Sequence, residues 1–164
     1  NFKINGTLHF KSGLYCIKNG IQFNGGDVID VVPISPTVPG GVTLYFVSGG
    51  MTFNGNAIVN LSAPASESQS CTDNAVNGAV EGLLIYVDKN NDSPIQINGT
   101  SLNNYTGTIY APSSEVDITG TTDANTFRTQ VIAKTIKISG NANLYMNQLS
   151  CDPYKYPFSM DLLK

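Results

Sequence analysis

The chain has one histidine, one arginine and no tryptophan among its 164 residues, and charged side chains make up only 13% of it. Each shortage removes a class of function. A phosphate-binding surface needs concentrated cationic side chains; Arg128 stands alone, no Lys cluster accompanies it and the net charge is −3, so nucleic acid is not an expected partner. Serine-hydrolase chemistry needs a base beside an activated nucleophile. The sole histidine, His9, alternates with Leu8 and Phe10, which places it on the solvated side of a strand with no nucleophile elbow to serve. Three cysteines, Cys16, Cys71 and Cys151, lack the spacing of a metal site. No apolar run approaches the roughly 20 residues that span a bilayer, and no window sustains a helical apolar period, so little helix is expected. The chain opens on Asn1 rather than Met, which suggests a mature or trimmed product from which a signal or anchor has been removed.

What is abundant is glycine, 16 residues of it, together with asparagine, both of which accept the positive φ of a sharp bend. They punctuate a five-residue phrase, apolar-x-apolar-polar-Gly. It occurs as Phe2-Lys-Ile-Asn-Gly6, Ile21-Gln-Phe-Asn-Gly25, Met51-Thr-Phe-Asn-Gly55, Ile95-Gln-Ile-Asn-Gly99, Val116-Asp-Ile-Thr-Gly120 and Ile136-Lys-Ile-Ser-Gly140. Successive glycines stand 19, 30, 44, 21 and 20 residues apart. A period near 20 with strand-like alternation marks a unit that buries its apolar face by stacking on its neighbours.

A second strand precedes most of these phrases, as in Gly13-Leu-Tyr-Cys-Ile17, Val42-Thr-Leu-Tyr-Phe-Val47, Gly82-Leu-Leu-Ile-Tyr-Val87, Gly107-Thr-Ile-Tyr-Ala111 and Gln130-Val-Ile-Ala133. A third often follows, as in Ala57-Ile-Val-Asn-Leu61 and Asn143-Leu-Tyr-Met146. The pattern predicts an all-β, single-domain β-helix (β-solenoid) of about five coils, with an axis of roughly 25 Å. Residues 1–12 cap or begin it, residues 13–147 form the coils, and residues 148–164 form a tail without the repeat. Two stretches read as excursions: residues 32–41, with Pro33, Pro36 and Pro39, and the polar insertion 65–81. Inward positions include Ile21, Phe23, Leu44, Phe46, Met51, Phe53, Leu84, Ile95, Ile97, Ile109, Val116, Ile118, Ile132, Ile136 and Ile138.

Candidate chemistry is sparse. Asp88, Asn90 and Asp92 resemble the start of a calcium loop, but Ser93 stands where the loop has glycine and Gly99 where it has a bidentate acid. The competing reading is a polar hairpin loop between Val87 and Ile95. Cys16, in an apolar strand, reads as a buried free thiol. Cys71 and Cys151 either pair, tying the tail down, or stay free, since spacing does not settle connectivity. Glycosidase or lyase β-helices need clustered carboxylates on one outer face. Glu115 and Asp117 share a strand face, yet Lys137 falls at the position equivalent to Asp117 one coil later, which reads as a cross-coil ion pair. No regular Thr-x-Thr ladder of the ice-binding kind exists, and no catalytic residue is assigned. Five sequons begin at Asn5, Asn60, Asn91, Asn98 and Asn104.

At Gly82-Leu-Leu-Ile-Tyr-Val87, Ile95-Gln-Ile-Asn-Gly99, Tyr105-Thr-Gly-Thr-Ile-Tyr-Ala-Pro112 and Ile136-Lys-Ile-Ser-Gly140 the chain resembles the C-terminal region of the TadE/TadG-like proteins of tight-adherence pili and of PilX-like minor pilins. The resemblance spans about residues 13–147 and rests on corners and strands. It implies an exported domain carried behind a membrane or pilin-like helix, and it brings no catalytic residue.

Together these readings point to a non-enzymatic extracellular or cell-surface module that serves adhesion or assembly. The expected partners are other copies of itself or pilus and filament subunits, with surface glycans as a further class. The contact surfaces expected are the two excursions and the aromatic tail residues Tyr154, Tyr156 and Phe158. The alternative is a secreted carbohydrate-binding or carbohydrate-cleaving β-helix; eight tyrosines supply aromatic surface where tryptophan is absent. No cofactor is expected other than calcium at Asp88, Asn90 and Asp92.

Overall fold

Alternating apolar residues between Gly and Asn corners leave the chain no helical face to bury, and the protein is all-β. The computed structural model describes residues 2–26, 28–33, 40–55, 57–64, 78–99, 103–120, 125–140 and 144–146. Every pairing between these strands is parallel, and they form one curled, half-barrel sheet with no helix among the described residues.

The strands arrive in threes. β1 (Phe2–Ile4), β2 (Thr7–Phe10) and β3 (Gly13–Ile17) come first, followed by β4 (Ile21–Asn24), β5 (Val28–Val31) and β6 (Val42–Phe46). β7 (Met51–Asn54), β8 (Ile58–Ser62) and β9 (Leu83–Val87) repeat the order. Then come β10 (Ile95–Gly99), two long bent strands, β11 (Asn104–Gly120) and β12 (Asn125–Gly140), and the short β13 (Leu144–Met146).

Pairing sorts these into three ladders. The first runs β1, β4, β7, β10, then residues 116–120 of β11 and 136–140 of β12. Its partners, Phe2 with Ile21, Ile21 with Met51, Met51 with Ile95, Ile95 with Val116 and Val116 with Ile136, reproduce the five spacings of the glycine phrase. The second runs β2, β5, β8 and residues 104–106 of β11. The third runs β3, β6, β9, then the middle of β11 and of β12. Residues 1–12, expected to cap or begin the coils, supply the first strand of two ladders.

The core is built of columns. Ile21, Phe23, Met51, Ile95, Ile97, Val116 and Ile118 fill the first ladder's inner face, Ile29, Val59, Leu61 and Tyr105 the second's, and Leu44, Phe46, Ile85, Val87 and Ile109 the third's; all are buried. Phe53 is half-buried against this core. Three expected inward residues are not in it. Ile136 and Ile138 continue the first ladder's inner column but are 45% and 57% exposed, because no described strand stacks beyond them there. Ile132 pairs with the outward Tyr110 and is 42% exposed; its neighbour Val131 takes the inward place opposite Ile109.

Corners are set by backbone and polar side chains. Gly107 turns β11 from the second ladder to the third at φ +123°, and a Cβ there would lie 2.5 Å from that of Ala63. At the ladder's end, a Cβ on Gly140 would come within 2.1 Å of the Gly120 carbonyl oxygen, so the stacked glycines permit the 20-residue step. The segment 88–94 is one such corner between two parallel strands, not a hairpin loop: β9 and β10 belong to different ladders. Buried Asn91 holds it, donating through Nδ2 to the carbonyls of Phe46 and Gly49, while the Ser114 hydroxyl donates to the Asn91 carbonyl. Both long excursions, 32–41 and 63–82, leave from the corner between the second and third ladders, in successive turns of the chain. Their roots touch: the Ser62 hydroxyl donates to the Gly40 carbonyl at 2.9 Å.

Candidate functional site

Three surface features stand out, and the outer faces of the ladders place them. Strand alternation sends every second residue outward, and parallel stacking aligns those residues in columns about 4.8 Å apart. On the third ladder the outward column is Cys16, Tyr45, Tyr86, Tyr110 and Ile132. Tyr45 and Tyr86 rings are tilted with centroids 5.1 Å apart, and Tyr86 and Tyr110 are stacked at 5.7 Å with planes 7° apart. Tyr86 and Tyr110 thus lie face to face, while Tyr45 meets Tyr86 at an angle of 58°.

The column is tied to the neighbouring corner. The Tyr45 hydroxyl donates to Asp88 Oδ2 at 2.6 Å, and the Asn90 amide donates to Asp88 Oδ1 at 2.9 Å. Two donors on one carboxylate favour its charged form, so the Asp88 pKa falls below the usual carboxylate value, the Tyr45 hydrogen bond being the larger cause. The same hydrogen bond, aided by burial and the Asp88 charge, pushes the Tyr45 phenol up to about 12. Of the calcium candidates, Asp88 is engaged in this way, while Asn90 and Asp92 are exposed. Among the described residues no three His, Cys, Asp or Glu side chains gather at metal-binding distance.

The second feature is the polar column on the second ladder, where His9 pairs with Asp30 and Asp30 with Asn60, followed by Asn104. His9 is exposed, as its alternation with Leu8 and Phe10 predicts, and its Nδ1 lies 2.5 Å from Asp30 Oδ1. On the first ladder, Lys137 Nζ lies 3.6 Å from Asp117 Oδ2, the cross-coil pair expected from the spacing.

The third feature is a hollow of about 400 Å³ at the β1–β3 end of the ladders. Phe2, Leu8, Phe10, Ile17 and Ile21 line it, with Lys18 at its edge. Phe2 is 59% exposed and Leu14 is 41% exposed. Among the described residues β1, β2 and β3 each pair on one side only.

Cys16, expected as a buried thiol, is exposed and free. Its register opposite Tyr45 turns it outward, and half-buried Tyr15 takes the inward place opposite Leu44. Cys71, Cys151, Tyr154, Tyr156 and Phe158 lie outside the described residues. Of the sequons, Asn91 is buried with both amide hydrogens directed at carbonyls, whereas Asn5, Asn60 and Asn104 are exposed. The tyrosine column was not anticipated as a surface; its signal was the recurrent Leu-Tyr or Ile-Tyr step at Tyr45, Tyr86 and Tyr110. No helix among the described residues is long and apolar enough to cross a membrane. Comparison with protein-family models, with curated proteins and with solved structures gave no match for this chain.

Proposed function

We propose that this chain is a β-solenoid (β-helix) serving as a non-enzymatic extracellular module, a component of a cell-surface pilus or filament or attached to one, with a role in adhesion or assembly. The observation that carries the reading is the β1–β3 end, where three parallel strands, each paired on one side only among the described residues, surround an apolar hollow. Such an edge offers backbone donors and acceptors in a row and an apolar face beneath them, which is what strand addition from another chain requires. At the far end of the first ladder Ile136 and Ile138 are likewise exposed. Filaments sheared from the source cells and labelled with antibody to this domain test the reading. Label along or at the tips of filaments is expected; label confined to the culture medium overturns it.

A second reading, a secreted carbohydrate-binding or carbohydrate-cleaving β-helix, draws support from the outward column Tyr45, Tyr86 and Tyr110, whose rings offer hydroxyl and apolar contacts at a regular spacing. Retention of the chain on mixed polysaccharide columns that is lost in Tyr86→Ala would favour it, and release of reducing ends would add cleavage.

A further inference from the structure

The outward column of the first ladder ends in lysine at both edges. Lys3 starts it, opposite Gln22, and Lys137 ends it, opposite Asp117. Lys137 has its carboxylate; Lys3 has no ion-pair partner among the described residues. The first 26 residues carry Lys3, Lys11 and Lys18 and no acid at all. The β1–β3 end is therefore an apolar hollow with Lys18 in its lining and Lys3 on the strand that bounds it.

This composition decides what fits there. A second copy stacking its Ile136-Lys-Ile-Ser-Gly140 edge directly on β1 would continue the apolar columns but set Lys137 against Lys3, and like charges directly opposed across strands destabilise the pairing. The fitting segment alternates apolar residues and carries an acid between them. The chain contains one in Phe158-Ser-Met-Asp-Leu-Leu163, beyond the described residues.

We propose that the hollow receives this segment from a second copy as an added parallel strand. Met160 and Leu162 then follow Phe2 and Ile4 in the inner columns, and Asp161 stands opposite Lys3. The tail follows β13, at the far end of the ladders, five strand spacings from β2. Returning within one chain means crossing about 24 Å of stack with residues 147–157, whose fully extended reach is about 36 Å. A neighbour placed end-on presents its hollow to the same tail without that crossing. The inference deepens the self-association contained in the proposed function and rests on it.

The test uses the full chain. Sedimentation velocity over a concentration series is run on the unaltered protein, Lys3→Asp, Asp161→Lys and the double reversal, with circular dichroism as the control for folding. In parallel, equal amounts of 14N- and 15N-labelled protein are coupled with a zero-length carbodiimide. Either single reversal is expected to weaken association about three- to tenfold, the scale of a cross-strand charge pair turned to repulsion, and the double reversal to restore it. The Lys3–Asp161 amide is expected to join light chains to heavy ones. Association insensitive to both reversals overturns the inference while leaving the proposed function standing. Amides found only within chains of one label place the tail in its own hollow and overturn it too. A protein that stays monomeric at every concentration overturns the inference, while the labelling of sheared filaments decides the proposed function by itself.

Discussion

The Tyr45 hydroxyl, on the outer face of β6, donates across 2.6 Å to the carboxylate of Asp88, in the corner that follows β9. This one contact links the aromatic column to the bend that carries the chain from the third ladder back to the first. Its two partners are perturbed in opposite directions, each toward the protonation state that the hydrogen bond needs.

The pH consequence has a definite sign at each end. Tyr45 is raised from 10.0 to about 12, so the stabilisation it lends is complete below pH 10 and is lost as pH rises toward about 12. Asp88 is lowered, so its contribution is present above the ordinary carboxylate value of 3.8 and is lost as pH falls through its depressed value. In a spectrophotometric titration of the native protein, one tyrosine should ionise late, near pH 12, and Asp88→Asn should return it toward 10. An unchanged titration in that variant would break the link between the two groups.

Ile118 and Ile138 are partners in the same inner column, yet one is 3% exposed and the other 57%. Aspartate at the first position buries an unpaired charge and should cost more than about 4 kcal/mol, enough to abolish folding. At the second it meets water and should cost less than about 1 kcal/mol. Urea melts of the two variants measure the difference, and a cooperative, near-native melt of Ile118→Asp would contradict the column alignment.

Glycine matters unequally along the chain. Gly107 and Gly26 both have positive φ, +123° and +86°, but a Cβ on Gly107 collides with Ala63 whereas a Cβ on Gly26 meets nothing within 4 Å. Gly26→Ala should cost only the backbone term, about 1–2 kcal/mol. Gly107→Ala adds the clash at a corner of the sheet and should cost about 3 kcal/mol or more. Thermal denaturation resolves a gap of that size.

Cys16 should be modified by a water-soluble thiol reagent in the folded protein, because it is exposed and free. Peptide mapping after brief labelling is expected to find the adduct on Cys16. Protection there until denaturation would return the residue to the interior.

Much of this arrangement was legible in the sequence because one physical requirement repeats. Each turn of chain must set an apolar pair over the pair below and then bend, and the phrase from Phe2 to Gly6, recurring to Gly140, records both acts. Its glycine spacings are the ladder offsets. The third ladder was harder, since Leu14-Tyr15 and Leu44-Tyr45 look alike but pair one residue out of step, Tyr15 with Leu44. A single-residue slip turns each side chain to the other face, and that slip separates the expected buried Cys16 from the exposed one. Ile132 falls to the same ambiguity, because two apolar neighbours, Val131 and Ile132, give no alternation to choose between them. Ile136 and Ile138 fail for another reason. A pattern states which face a residue takes, not whether another strand lies above it. The Tyr45–Asp88 bond joins residues 43 apart and has no local signature.

The two long excursions emerge at one corner, while the ladder registers on either side continue past them. Length variation is thereby uncoupled from pitch. The same corner one turn further on is spanned by Gly107 alone, with no added residues between the second- and third-ladder portions of β11. Chain length at that edge varies from turn to turn while the ladders hold their register, so a peptide grafted between Thr106 and Thr108 should leave the Tyr105–Leu61 and Ile109–Ile85 pairings in place and give the chain an address for sequences not its own.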